Sequence, residues 1–346
     1  MSNILITGAG GYIGIPLCSK LLERDHSVTA LDRYFFGKSR IVKIAENSRA
    51  RVVVEDIRDV KPETFEGIDT VIDLAGLSND ASAEIDPALT RAINFEGGIR
   101  MAQIAKTAGV RRYVYGSSAS VYGEGIREGL TENDECRPQT LYAESKLAVE
   151  GALRELCGPD FETVILRNAT VFGLAPRMRF DLAINIMTLR AWKERLIYML
   201  IYIMGGGDQW RPFIHINDVV RAFVLAVESD RDKVAGEIFN VGDDEMNFQI
   251  RQLAQFVRDI VPNVSVHTIP DDPDRRTYSL SFAKFHQRFG FHAETRVHEG
   301  IVEIKQALDR GTITADDPSS YTLQWYRSLV DWEKRIKDLS LRGRIL

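Results

Sequence analysis

The chain has 346 residues, enough for one large α/β domain and a smaller one. Charged residues make up 27% and hydrophobic residues 45%, the balance of a globular protein with an ordinary core. A net charge of −5 with scattered basic residues gives no electrostatic reason to expect nucleic acid or an anionic membrane as partner, and neither is predicted.

The first half alternates strand and helix patterns. Asn3-Ile4-Leu5-Ile6-Thr7 is a short apolar run that ends at Gly8, and residues 12 to 24 carry apolar side chains at helical spacing. The segment Gly8-Ala9-Gly10-Gly11-Tyr12-Ile13-Gly14 lies between them, the place of a dinucleotide-binding turn. Gly8, Gly11 and Gly14 are expected to give a tight turn, close backbone approach to a pyrophosphate and close helix–sheet packing. Tyr12 and Ile13, in the same turn, are counted among the cofactor contacts. The next strand, Ser27 to Asp32, ends in a carboxylate about 20 residues on, suited to the adenosine ribose of NAD and repelling the 2′-phosphate of NADP. Arg33 beside it pulls weakly the other way.

Strands follow at Arg51–Glu55, Thr70–Leu74, Tyr113–Tyr115 and Thr163–Leu166. Asp56 and Ile57, after the third strand, are placed to flank the adenine. Leu74, Ala75 and Gly76, after the fourth, present small groups where backbone must approach the cofactor. β-Branched strands separated by helices predict a doubly wound, Rossmann-type parallel sheet, with ligand beyond the carboxyl ends of its strands.

Tyr142-Ala-Glu-Ser-Lys146 puts a phenol and an ammonium on one face of a helix, one turn apart. The cation is expected to favour the phenolate and pull its pKa from about 10 towards neutrality. Such a tyrosine takes a proton from a hydroxyl or gives one to a carbonyl. Together with a nicotinamide it implies hydride chemistry.

After about residue 175 the loops lengthen. Gly205-Gly206-Gly207-Asp208 reads as a turn before Trp210–His215, followed by a helix from about Asn217 to Glu228 and a strand at Glu237–Val241 that returns to the main sheet. Leu196–Met199 is nearly repeated by Leu200–Met204, a short duplication without a functional reading. Residues 1–175 with about 212–245 are predicted to form the NAD-binding domain. Residues 176–211 and 246–346 are assigned to a smaller substrate-binding lobe and C-terminal helices. Cys18, Cys136 and Cys157 have no metal-ligand spacing, so free thiols, no metal and a reducing compartment are expected. The apolar run Leu196–Met204 is about half a membrane span, and the N-terminus shows no signal-peptide pattern; a cytoplasmic protein is expected.

Several motifs together resemble the extended short-chain dehydrogenase/reductases, in particular the nucleotide-sugar epimerase/dehydratase group typified by UDP-galactose 4-epimerase. They are the glycine turn, Leu74-Ala75-Gly76, Asn94, Ser118-Ala119-Ser120-Val121-Tyr122-Gly123, Tyr142-x-x-x-Lys146, Leu166-Arg167 and Arg211-Pro-Phe-Ile-His215. The resemblance implies Ser118 as the catalytic Ser/Thr, Tyr142 as acid/base, and Lys146 as the residue that tunes it and binds the nicotinamide ribose. It implies Asn94 near the substrate and Arg211 on the substrate diphosphate, a task for a bidentate fork. Dehydratases of the group carry Asp-Glu after the catalytic Thr; Ala119 and Ser120 stand there, which argues against elimination. The decarboxylating relatives place a Glu where Ser120 is.

Thr170 occupies the place of a family Asn, so either Asn168 compensates or the sugar is held differently. Arg275 and Arg276 are candidates for the second diphosphate arginine. The implied activity is an NAD-dependent nucleotide-sugar epimerase, at C4 through a transient 4-keto sugar. A 4-ketoreductase of a nucleotide deoxysugar and a non-catalytic NAD sensor are the alternatives. A homodimer is implied through helices at about 88–108 and 140–157.

Overall fold

The computed structural model describes residues 1–125, 127–199, 207–268 and 277–345. Gly205, Gly206, Leu200–Met204, Arg275 and Arg276 lie outside the described residues. Twelve strands are described: β1 Asn3–Thr7, β2 Ser27–Asp32, β3 Ala50–Val54, β4 Thr70–Asp73, β5 Arg112–Ser118, β6 Glu162–Asn168, β7 Thr170–Phe172, β8 Leu196–Met199, β9 Trp210–His215, β10 Glu237–Val241, β11 Asn247–Gln249 and β12 Ser265–Thr268. Seven build one parallel sheet in the order β10-β6-β5-β4-β1-β2-β3. The predicted doubly wound sheet is therefore present, with Glu237–Val241 returning to it beside β6.

Alternation along each strand explains why both faces are covered. Ile4 and Ile6 join Val28, Ala30, Ile72, Val114 and Val164 in one core. Leu5 points the other way, with Leu31, Val71, Tyr113 and Ile165, against Met101, Val149 and Leu153. The first core is closed by helices Gly14–Glu23 and Ile216–Glu228, the second by Gly98–Thr107 and Leu141–Leu156. Each such aliphatic side chain contributes about 1.5–3 kcal/mol when fully buried, and strands apolar on both faces have no other stable place.

The strand order reverses at β1, beside its pairing with β4, and such a switch point leaves a crevice beyond the carboxyl ends of the strands. Beside it stand a three-stranded sheet, β11-β9-β7, and a parallel pair, β12-β8. The first half of the near-duplication, Leu196–Met199, is thus strand β8. A third core under β7 and β9 joins Ile184, Met187, Leu253, Val257 and Ile301 from helices Ala183–Glu194, Ile250–Ile260 and Val297–Asp309.

The last helix, Thr322–Leu339, docks on the loop after β2: Trp325 Nε1 donates to Phe35 O at 2.9 Å, and Tyr326 meets Phe36 with ring centroids 5.7 Å apart. The three cysteines are free. Among the described residues no helix is long and apolar enough to cross a membrane, and no cluster of metal-ligating side chains occurs.

Candidate active site

Beyond the carboxyl ends of the strands lies a cavity of about 370 Å³. Its floor is the glycine turn. Gly8 has φ +67°, and a Cβ there would fall 2.9 Å from the Leu74 backbone; a Cβ on Gly14 would fall 2.2 Å from Gly8 O. The turn is closed by Gly11 N donating to Gly8 O at 2.9 Å, which aims the start of helix Gly14–Glu23 into the cavity.

Thr7 ties this turn to the next loop. Its Oγ1 donates to buried Asp73 at 2.6 Å and accepts from Leu74 N and Ala75 N at 3.1 and 3.0 Å. Leu74, Ala75 and Gly76 therefore line the cavity, as do Tyr12, Ile13, Asp56 and Ile57. Gly14→Ala forces this packed turn to shift, at about 1–3 kcal/mol. NAD affinity is expected to fall by roughly ten- to a hundredfold, read by titration calorimetry.

Asp32 stands at the end of β2 and lines the cavity. Burial pushes its carboxyl up, while backbone N–H groups pull it back: Tyr34 N at 2.6 Å and Gly10 N at 3.0 Å. Gly10, not singled out in the sequence, is thus the link between the turn and Asp32. Asp56 is held by Arg58 and Arg33, at 2.6 and 2.9 Å, and the Arg58 hydrogen bonds bring its carboxyl down to about 2. Arg33 is spent on Asp56. Its backbone N–H also helps hold the Asp32 carboxyl, while its side chain is engaged by Asp56.

The reactive end is built by β5, β6 and helix Leu141–Leu156. Thr140 caps the helix, its Oγ1 accepting from Ala143 N at 3.3 Å and donating to Asp80 at 2.5 Å. This places Tyr142 in the first turn, facing Ser118, with Lys146 one turn on; all three line the cavity. Lys146 is buried, donates to Gly116 O at 2.7 Å, and lies 4.6 Å over the Tyr115 ring and 5.9 Å from the Tyr142 ring centroid. Burial pushes its ammonium down to about 8, opposed by Asp73 and Glu150.

The expected lowering of Tyr142 is not what this cavity produces on its own. Burial pushes the phenol up to about 12, Asp80 adds to that, and Arg179 and Ser118 pull it down. The spacing of Tyr142 and Lys146 is as predicted; the balance is reversed because desolvation opposes the phenolate more than the cation favours it.

The substrate candidates divide. Asn168, Thr170 and Arg211 line the cavity with Ser118. Asn168 Nδ2 donates to Ser117 O and Leu166 O, at 3.1 and 3.2 Å. Arg211 lies 4.9 Å over the Tyr278 ring and donates to Trp210 O. Asn94 does not line the cavity. A π-helical stretch, Arg91–Gly97, turns it inward, where Oδ1 accepts from Leu77 N at 2.7 Å and Nδ2 donates to Leu77 O at 3.0 Å. Both amide groups are spent bracing the loop after Gly76, so its place is behind the site. Arg276 falls outside the described residues.

Reasoning from sequence missed Asp80, Arg177, Arg179 and Tyr326, which all line the cavity. The only available signal was two arginines at alternate positions in Pro176-Arg177-Met178-Arg179-Phe180-Asp181, shortly after Arg167, Asn168 and Thr170.

A family model described as the NAD dependent epimerase/dehydratase family matches residues 4–242. The chain is 28% identical to UDP-glucose 4-epimerase of Corynebacterium glutamicum, over 87% of this chain and 94% of that one. It is also 28% identical to UDP-glucuronic acid decarboxylase 1 of Arabidopsis thaliana, over 86% and 68% respectively. The solved structure of MoeE5 in complex with UDP-glucose and NAD is similar, with a TM-score of 0.77 and 25% identity, covering 90% of this chain and 100% of that one. A glycine cradle too tight for side chains, a carboxylate at the end of β2 and a Tyr142–Lys146 pair facing Ser118 fit that family's cofactor. The chain is an enzyme that belongs to the NAD dependent epimerase/dehydratase family.

Proposed function

We propose that the enzyme is a nucleotide-sugar 4-epimerase, acting through a transient 4-keto sugar. The observation that carries the reading is Tyr142 facing Ser118 over the cavity that the glycine turn opens, with Ala119 and Ser120 in place of an eliminating acid pair. Bound NAD would supply a reversible two-electron acceptor for the C4 hydride. Tyr142, as phenolate, takes the C4 hydroxyl proton and gives it back after the ketone has presented its other face. Ser118 bonds the same oxygen and steadies the phenolate. Lys146, fixed by Gly116 O, keeps positive charge behind the ring.

Ser120 Oγ and Asn168 Oδ1 line the cavity, buried and without a partner among the described residues, which suits them to sugar hydroxyls. Arg211, from β9, is suited to the diphosphate that anchors the substrate while the keto sugar turns. UDP-sugars are the first class to test, since the curated relatives named above act on them by name. Helices Gly98–Thr107 and Leu141–Leu156 leave Ala148 exposed and Gly151 with open space at its Cα. Such a flat face supports the homodimer reading, which light scattering would test.

The decisive measurement is proton NMR of UDP-, dTDP-, GDP- and CDP-sugars with the purified enzyme, run alongside NADH absorbance. An epimer at C4 with no net change in NADH is expected. Stoichiometric NADH consumption by a 4-keto-6-deoxy sugar nucleotide would assign the enzyme as a ketoreductase. Retention of both Tyr142 and Lys146 in the cavity argues against a sensor without turnover.

A further inference from the structure

Arg177 is a buried cation that none of the motifs accounts for. It lies between β7 and helix Ala183–Glu194, is 2% exposed, and lines the cavity with Gly11, Ile13 and Asp32. Its guanidinium carbon sits 3.7 Å over the Phe36 ring. Nη2 donates to Ser319 O at 3.2 Å and to Thr322 Oγ1 at 2.7 Å, while Nε is buried with no partner among the described residues. It forms no ion pair there either. The nearby carboxylates are taken: Asp181 by Arg179 at 2.5 Å, Asp317 by Arg40, and Asp32 by the N–H groups of Gly10 and Tyr34.

A buried guanidinium outside any close ion pair is unfavourable, and Asp181 and Asp32 act on this one only through longer-range attraction. Burial pushes this one down to about 10, which still leaves it charged at neutral pH. The turn from Gly8 to Gly14 and the N-terminus of helix Gly14–Glu23 line the same cavity and form its other anion-attracting wall. A doubly charged group set between the two walls would satisfy both. Arg33 and Arg179 line the cavity too, but they are held by Asp56 and Asp181, so Arg177 is the cation of that wall outside any ion pair among the described residues.

We propose that Arg177 is the counter-cation of the pyrophosphate of bound NAD, and that Ser319 and Thr322 make the C-terminal segment the brace that holds it in place. Arg40 extends the brace, donating to Ser319 Oγ at 2.8 Å. An enzyme that must keep its cofactor through an oxidation and a reduction gains from such a grip. Such a grip on the cofactor serves epimerisation and net reduction alike.

The test uses the full chain with Arg177→Met and Arg177→Lys, and reads binding by calorimetry and melting temperature. Arg177→Met should weaken both NAD and ADP-ribose by roughly ten- to a hundredfold and leave UDP within about twofold. The cofactor-free variant should melt no lower than the parent, because an unpaired buried charge has been removed, while the rise in melting temperature on adding NAD shrinks. Arg177→Lys should recover part of the loss as a point charge without the fork. Unchanged NAD affinity in Arg177→Met, with a lower melting point, would make Arg177 a structural strut and overturn the proposal. So would tighter binding of NADP than NAD by the parent, which would assign the residue to a 2′-phosphate. Should the Met variant not fold, unchanged ADP-ribose affinity in Arg177→Lys overturns it equally.

Discussion

Tyr142→Phe is expected to cut sugar turnover by roughly 10²–10⁴-fold, the range for loss of a positioned general acid–base group, while NAD still binds. The variant keeps the ring that packs under the cofactor cavity and removes only the hydroxyl, so fold and cofactor contacts survive. The measurement is turnover by NMR beside NAD affinity by calorimetry. Retention of more than about a tenth of the parent rate would place the proton transfer elsewhere.

The pH profile carries the same argument. Without cofactor, burial holds the Tyr142 phenol up at about 12, so at neutral pH it is protonated. The base form therefore depends on every nearby positive charge, and kcat/KM should rise with pH as Tyr142 ionises in the loaded enzyme. Removing the cation in Lys146→Met takes away one stabiliser of the phenolate, and this rising limb should move to higher pH. A limb that stays in place in Lys146→Met would show that Lys146 serves only to bind.

The second large effect concerns stability. Glu150→Ala should cost about 3–5 kcal/mol, the penalty for stranding one member of a buried ion pair. Glu150 and Arg167 are both buried, and Arg167 reaches it through Nη2 at 2.7 Å and Nε at 3.1 Å. Ser117 Oγ donates to the same carboxylate at 2.5 Å, and Arg167 Nη1 passes on to Tyr122 OH at 2.9 Å, which donates to Asn240 at 2.7 Å. This network clamps the ends of β5, β6 and β10 directly behind Ser118. Loss of Glu150 also takes a favourable charge from Lys146. Chemical denaturation of the parent, Glu150→Ala and Glu150→Gln should rank them in the order parent, Gln, Ala. A loss under about 1 kcal/mol in Ala would mean that the guanidinium finds water.

Much of the main sheet was legible because its information is local. Ile4, Leu5 and Ile6 alternate between two cores, so an uninterrupted apolar run of that length reads as a strand covered on both faces. Gly8, Gly11 and Gly14 sit within two turns of chain, and a Cβ on Gly11 or Gly14 is forbidden by Gly8 and Ala9 close by, while Gly8 alone is pressed by the distant Leu74–Ala75 backbone. Tyr142 and Lys146 share a face because any helix puts positions four apart together.

Asn94 shows where this reading stops. Its motif position was visible, yet a π-helical stretch turns the amide onto Leu77, and nothing in the local spacing announces that register. The charge state of Tyr142 is a second case: the pair was predicted, but desolvation by the surrounding walls sets its sign.

Local pattern thus decided the strands of the first half, the glycine turn and the shared helix face of Tyr142 and Lys146, since each depends on neighbours within a turn or a strand. Docking decided the rest. Arg177 meets Thr322 across 145 residues of chain, and Trp325 meets Phe35 across 290. Which buried charge faces the cavity depends on how separate elements pack, and a single-residue spacing rule carries no record of that distance. Tertiary structure alone placed an arginine with no motif in the wall of the cavity.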